Sequence, residues 1–386
     1  MVLRVQSLFG DERGPSLGQK LREVNWGLVA LLTLIACVGF VMQYSAAGGN
    51  WEPWASRQIL RFGFGVVLLV AVAVIELKFW YRIAYVLYGV GLALLMAVEI
   101  MGTVGMGAQR WVDLGIVQLQ PSEVMKVALT LVLARYFHGI LPEEIGRLRV
   151  VVPPLLLVLP PVALVLKQPD LGTAVMLLLS AAAVCFIAGV RIWKFVLAIA
   201  ATLVALPLTW QYALHDYQRN RVLTFLDPER DPLGTGYHIT QSKIALGSGG
   251  LFGRGYLQGT QSHLSFLPEH RTDFIFTMLA EELGMVGGIC LLGLYLLVLA
   301  YGAGIALRSR NQFGRLLAFG VTTTFFIYVF VNIAMVMGMV PVVGIPLPLV
   351  SYGGTSMMTL LVAFGLVLCV YVHRDFTFNR RAALAA

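Results

Sequence analysis

The sequence predicts an all-α integral membrane protein of about ten transmembrane helices, with a large extracytoplasmic loop between helices 7 and 8. Three observations carry that prediction. Of the 386 residues, 58% are hydrophobic and only 12% are charged, where a soluble globular chain carries about 25% charge. The apolar residues run in blocks of about 18 or more, long enough to cross a hydrocarbon core of about 30 Å as helices. Nor do the blocks alternate polar with apolar as barrel strands do. Lipid offers backbone groups no hydrogen-bond partners, so helices are what remains.

The blocks place spans at 25–45, 59–77, 81–101, 121–137, 150–167, 170–189, 192–212, 273–305, 316–338 and 350–372. They make one membrane domain, residues 25–373, between a cytoplasmic N-terminal tail (1–24) and a cytoplasmic C-terminal tail (374–386). The first block is too long for a cleavable signal and reads as a retained span. With the N-terminus inside, inner segments hold 17 of the 28 Lys and Arg residues and short outer loops hold 4. The long outer loop, 213–272, holds six more, but long loops translocate largely regardless of charge. This asymmetry accounts for the net charge of +8 without any nucleic-acid partner. Cys37, Cys185, Cys290 and Cys369 all lie inside apolar blocks, as small membrane-embedded side chains rather than disulfides or metal ligands.

Function is expected on the outer face, because three segments there are neither short nor featureless. They are Gly102–Gln120, the long loop with its glycine-rich run Gly247–Gly255, and Met339–Gly354 with Pro341, Pro346 and Pro348. Loops longer than about 15 residues are usually functional or disordered. The aliphatic and aromatic content of the long loop argues against disorder.

Asp273 is the leading catalytic candidate. It opens the eighth span in Arg271-Thr272-Asp273-Phe274-Ile275-Phe276, where an apolar run behind a carboxylate desolvates it and suits it to general-base work. Asp is also favoured as a helix N-cap, so a purely structural reading stands beside the catalytic one. Glu281 and Glu282 follow on the same span and read as structural ion-pair partners. Glu123 and Lys126 are three residues apart on the fourth span, share a face and can form an ion pair. Lys126 therefore reads either as half of a structural staple or as a contact for an anionic substrate. Asp170 begins the sixth span, as a cap or as part of the site. Arg110, Arg219, Arg221, Lys243 and Arg254 are outer cations of the kind that suits phosphate oxygens. Asp227, Glu229 and Asp231 read as turn residues.

Seven motifs carry the reading further. They are Gly107–Gly115 (GAQRWVDLG), Gln120–Glu123 (QPSE), Gln168–Thr173 (QPDLGT), Asp231–Ile239, Gln241–Ala245 (QSKIA), Leu267–Phe276 and Pro346–Gly354 (PLPLVSYGG). From the first span to the last, in consistent order, the chain resembles the SEDS family of bacterial shape, elongation, division and sporulation proteins. Gly107–Trp111 and Gly259–Ser262 look like its elongation branch rather than its division branch. One departure stands out: relatives commonly have His directly before Thr-Asp-Phe, whereas Arg271 holds that place here and His270 precedes it.

The resemblance implies a peptidoglycan glycosyltransferase of the cytoplasmic (inner) membrane that polymerises lipid II at the outer face during cell elongation. It also implies a class B penicillin-binding protein as crosslinking partner, alongside membrane lipids and other elongation proteins. Asp273 would be the base or would hold a divalent cation, Mg or Mn, and the displacement would invert the donor carbon. Arg110, Lys126 and Lys243 would position the diphosphate, Asp170 would contribute to the same site, and Trp111 would pack on a sugar face. Two other classes fit such a bundle: a lipid II flippase, and a non-catalytic scaffold for the penicillin-binding protein.

Overall fold

In the computed structural model the described residues are 16–105, 108–113, 118–141, 143–213, 216–231, 234–259 and 271–376. Their helices are α1 (Leu17–Glu23), α2 (Trp26–Ala46), α3 (Trp54–Val74), α4 (Leu77–Met101), α5 (Pro121–His138), α6 (Leu148–Lys167), α7 (Leu171–Ala188) and α8 (Ile192–Leu208). Then come α9 (Asp216–Leu226), α10 (Thr235–Ser248), α11 (Ile275–Arg308), α12 (Gln312–Val336) and α13 (Gly354–Val372). Among the described residues nine helices are long and apolar enough to cross a membrane. The tenth span is α5, whose 18 residues include Glu123, Lys126 and Arg135. Those charges are tolerated because α5 is enclosed by α4, α6, α7, α12 and α13 rather than by lipid.

Successive spans run antiparallel, so one end of the bundle collects the long connections 47–53, 102–120, 209–274 and 337–353. This is the wide end. At the opposite, narrow end the N-terminal and C-terminal segments meet: α1 packs on α3 and α13, and Arg374 lies 3.8 Å from Glu23. Helix boundaries follow the expected spans closely, with the largest offset at α3, which begins at Trp54 rather than at residue 59. Arg57 and Arg61 hide that start from a hydropathy reading. The wide end also has more regular structure than its sequence suggests. The described residues between 102 and 120 form a small antiparallel sheet, β1 (Thr103–Gly105), β2 (Ala108–Asp113) and β3 (Gln118–Leu119). The long loop contains α9 and α10, so 213–272 is largely helical where described.

The expected span 273–305 needs correction, because α11 is broken at Gly284 (φ 67°, ψ −165°). Residues 285–308 are about 36 Å long and cross a bilayer unaided. Residues 275–283 form a separate short helix that carries Asp273 at its head. The break leaves orphan carbonyls on one side and orphan amides on the other, and the glycine-rich run satisfies both. The amides of Arg254 and Gly255 donate to the carbonyls of Glu281 (3.0 Å) and Glu282 (3.1 Å). The amides of Met285 and Val286 donate to the carbonyls of Gly250 (2.9 Å) and Leu251 (3.1 Å). The run thus serves as a clasp capping a broken helix.

Gly253 shows why the clasp needs glycine. Its φ is +80°, and a Cβ there would strike the carbonyl of Glu282, whereas a Cβ at Gly250 (φ +56°) would meet open space. Both positions carry a left-handed penalty of about 1–3 kcal/mol for a non-glycine residue. Gly253→Ala is therefore expected to lower the thermal midpoint of the detergent-solubilised protein several degrees further than Gly250→Ala. Equal shifts for the two variants would show that the clasp is not a tight contact.

Candidate active site

The proline-rich connection 337–353 is exposed at Met337, Met339 and Gly344 but buried at Ile345 and from Leu347 to Ser351. Polar side chains buried in the surrounding helices bind three of its carbonyls. Gln58 on α3 donates to the carbonyl of Ser351 (2.9 Å), Tyr295 on α11 to that of Pro348 (2.8 Å), and Asn332 on α12 to that of Ile345 (2.6 Å). Irregular backbone is tolerated inside a membrane protein only under such cover. The segment is a platform at the wide end, and the site is arranged around it.

Asp273 sits on a turn against this platform, immediately before α11. The carbonyls of the three residues there are each held. Arg271 O accepts from Gln43 Nε2 (2.9 Å) and from the Tyr352 amide (2.9 Å). Thr272 O accepts from the Ser351 hydroxyl. Asp273 O accepts from Asn332 Nδ2 (2.9 Å). Asn332 thus ties the acid to Ile345 on the platform. The half-buried carboxylate of Asp273 lies against Gly344, with Oδ2 3.3 Å from where a Cβ at that residue would stand. Gly344 has φ +77°, so both its conformation and its lack of a side chain leave room for the acid. An acid fixed through its own backbone from α2, α12 and the platform has little freedom to wander.

The other expected residues fall into three groups. Lys243, exposed on α10, drapes over Gly338 at the start of the platform. Its neighbour Ser242 is buried, with its hydroxyl 2.9 Å from that of Thr277 and 2.8 Å from the carbonyl of Val336. Arg110 on β2 donates to the carbonyl of Pro169 (2.6 Å), and its Nε lies 3.5 Å from Asp170 Oδ2. Asp170 also caps α7, accepting from the Thr173 amide (3.1 Å) and hydroxyl (2.9 Å). This pair straps the small sheet, with Trp111 on the same strand, to the head of α7, and Gly172 there abuts Val343 of the platform.

The third group lies beneath the platform. Lys126 Nζ is 2.6 Å from Glu123 Oε1 and 4.4 Å from the ring centroid of Tyr328 on α12. The Tyr328 hydroxyl stands 3.2 Å from both carboxylate oxygens. These residues head a small cavity of about 50 Å³ between α5, α12 and α13, roofed by Pro346–Leu349 and Ser351. Asp273 does not line that cavity. Lys126 faces this cavity instead, paired with Glu123.

Arg271, in the place where relatives carry His, points toward α3 with its guanidinium 4.8 Å above the Trp54 ring. Arg61 packs 5.3 Å from the ring of Tyr352, which meets Trp54 edge-on. Among the described residues neither arginine has a carboxylate within ion-pair distance. Arg219 pairs loosely with Asp216 (3.6 Å), and Arg254 lends its amide to the clasp. Glu282 is buried and accepts from the Ser45 hydroxyl at 2.6 Å. His270 and Leu267–Glu269 lie outside the described residues.

Sequence reasoning passed over Gln43, Gln58, Tyr328 and Asn332. Their signal was present: lone amides and hydroxyls inside apolar spans are costly there and mark polar work.

Taken together, the bundle and its pinned acid define a polytopic helical membrane protein with a polar site at one membrane face. The family of cell cycle proteins that includes FtsW, RodA and SpoVE matches residues 25–375, and this chain belongs to it. A relative named peptidoglycan glycosyltransferase MrdB, from Escherichia coli strain K12, is 47% identical over 350 residues, covering 90% of this chain and 93% of the relative. Among solved structures, a chain of a peptidoglycan synthase complex that coordinates polymerization and crosslinking superposes with a TM-score of 0.80. It is 36% identical and covers 91% of this chain and 98% of that one. The rod shape determining protein RodA of Thermus thermophilus gives 0.69 at 34% identity, covering 92% of this chain and 98% of that one.

Proposed function

We propose that this chain is a peptidoglycan glycosyltransferase of the elongation (RodA) type that polymerises lipid II at the outer face of the cytoplasmic membrane. Its relatives support the activity, and the observation that carries the site is Asp273, held through three consecutive carbonyls beside Gly344. Asp273 accepts the proton of the attacking sugar hydroxyl as its oxygen bonds to the anomeric carbon of the donor. The bond from that carbon to phosphate breaks, and polyprenyl diphosphate leaves with the electron pair. Because the donor linkage is α and the product β, one displacement with inversion suffices. Fixing a base to within a fraction of an ångström is what this chemistry needs, since a 1 Å misplacement can cost about a hundredfold.

The cations divide by their partners. Lys243, Arg61 and Arg271 have no carboxylate within ion-pair distance among the described residues, and they pack beside Gly338, Gly354 and Trp54 around the platform; they serve the leaving diphosphate. Arg110 is committed to Asp170 and Pro169, so it holds the sheet, and with it Trp111, in place for a sugar face. Lys126 is committed to Glu123 and Tyr328 and acts as a staple. Among the described residues no cluster of three or more His, Cys, Asp or Glu side chains could hold a metal ion. A divalent cation at Asp273 would therefore rest on this one carboxylate, with water and substrate phosphates completing its shell, and would neutralise charge on the diphosphate.

The lysine and arginine distribution supports cytoplasmic termini and an outward-facing wide end. The synthase complex among the structural relatives supports a class B penicillin-binding protein as partner. Glycan-strand formation from lipid II by the purified chain, alone and with that partner, tests the reading. Strands are expected in the presence of the partner. Vesicles that translocate lipid II without polymerising it would replace the enzyme with a flippase. No strands under any condition, with a fully folded chain, would leave a scaffold.

A further inference from the structure

At the narrow end, α8 departs from the rest of the bundle. Among the described residues it meets the bundle lightly, through the Phe195 ring 6.0 Å from that of Phe186 on α7, and Val196, Ile199 and Leu203 stand exposed. On α6, Val152, Leu155 and Leu156 are exposed as well. Beside that aromatic contact, what ties the start of α8 to the bundle is basic. Arg191 lies on Gly146, with Nε 2.8 Å from where a Cβ there would stand. Lys194 Nζ donates to the carbonyl of Arg147 (3.1 Å) and lies 5.9 Å from the ring of Trp193. The result is a wedge with apolar flanks and a cationic apex.

Cations at this end are what membrane topology asks for, but topology does not ask for one to be buried. Lys194 is only 9% exposed. It is covered by its immediate neighbours although it stands at the rim of the bundle. Its ammonium has three hydrogens to donate; the carbonyl of Arg147 takes one, and no carboxylate lies within ion-pair distance among the described residues. Arg191 beside it also lacks a carboxylate partner there. The one nearby ion pair, Arg147 with Glu144 (2.9 Å), is solvent-exposed and uses neither. Buried charge is retained where something of opposite sign meets it, and this chain supplies no such group among the described residues.

We propose that the apex of this wedge binds the headgroup of an anionic phospholipid. Lys194 and Arg191 take the phosphate, Trp193 sits at the level of the glycerol, and the acyl chains lie along the exposed flanks of α6 and α8. Amphipathic complementarity selects a lipid over a soluble anion, because the wedge continues from the cations as bare apolar surface. Basic pockets between helices at this depth are the usual receptors for such headgroups. The site is far from the platform and does not depend on the catalytic reading.

Native mass spectrometry of the detergent-solubilised chain, with phosphatidylglycerol and phosphatidylcholine competing at equal mole fraction, tests the proposal. Phosphatidylglycerol is expected to be retained preferentially, and Arg191→Gln and Lys194→Gln should each cut that preference about fivefold, the ratio expected for one cation near an anionic surface. Lys194→Arg should retain it, as should Arg308→Gln elsewhere at the narrow end. Brominated phosphatidylglycerol should also quench a component of fluorescence that disappears in Trp193→Phe. Equal retention of the two lipids would overturn the proposal. So would a loss in Arg308→Gln as large as in Arg191→Gln, or displacement of the lipid by millimolar inorganic phosphate. If Lys194→Gln does not fold, Arg191→Gln and Lys194→Arg decide the matter.

Discussion

Asp273→Asn is expected to yield a folded, membrane-inserted chain whose glycan polymerisation falls by a factor of about 100–10,000, the range a positioned general base contributes. The substitution is conservative in the respect that matters for structure. The carbonyl held by Asn332 belongs to the backbone, and the carbonyls of Arg271 and Thr272 keep their donors. An amide in place of the carboxylate occupies the same space beside Gly344 but cannot take a proton from an attacking hydroxyl. The loss should therefore appear in turnover, with the thermal midpoint unchanged. Asp273→Glu is a sharper instrument: it restores a carboxylate but moves it by one methylene into a space bounded by Gly344, and it should recover only a small part of the rate. Rates near normal in Asp273→Asn, with lipid II as substrate and the partner present, would remove Asp273 from the chemistry and the proposed mechanism with it.

How much of this was legible in the sequence follows from where each signal resides. Apolar blocks are read from composition alone, so the spans emerged with small errors, the largest where Arg57 and Arg61 lie within the first two turns of α3. The break at Gly284 was invisible, because one glycine in an apolar run is common in membrane helices. What makes it a break is the run Gly249–Gly255 arriving from elsewhere in the chain. Asp273 was legible because a carboxylate before an apolar run stands out. Its company was not. The residues that hold it, Gln43, Ser351 and Asn332, are 230, 78 and 59 positions away in sequence, and nothing local announces such contacts. Lys126 stood open in the sequence between a staple and a substrate contact, and the fold gives it Glu123 and Tyr328 as partners at a cavity that Asp273 does not line.

That assignment of Lys126 makes the second large prediction. The side chains of Lys126 and Glu123 are 5% and 10% exposed, so removing one strands the other in a medium that solvates charge poorly. Breaking a buried pair in this way costs about 3–5 kcal/mol, whereas replacing both partners is often neutral. Lys126→Met should therefore lower the thermal midpoint strongly, leaving Glu123 with the Tyr328 hydroxyl alone. Glu123→Gln should cost less, since the ammonium keeps the Tyr328 ring at 4.4 Å and a cation over an aromatic face retains some attraction when desolvated. Combined with Lys126→Met, Glu123→Gln should bring the midpoint back toward that of the parent chain. Activity then separates the two roles a buried lysine can have here. As a staple, the pair once replaced should polymerise lipid II nearly as well as the parent protein. As a substrate contact, Lys126 would leave the double variant stable but slow. If the single variants melt with the parent chain, the pair contributes no stability and the staple reading fails. The expected result is recovery of both properties, because Asp273 does not line the cavity beside Lys126.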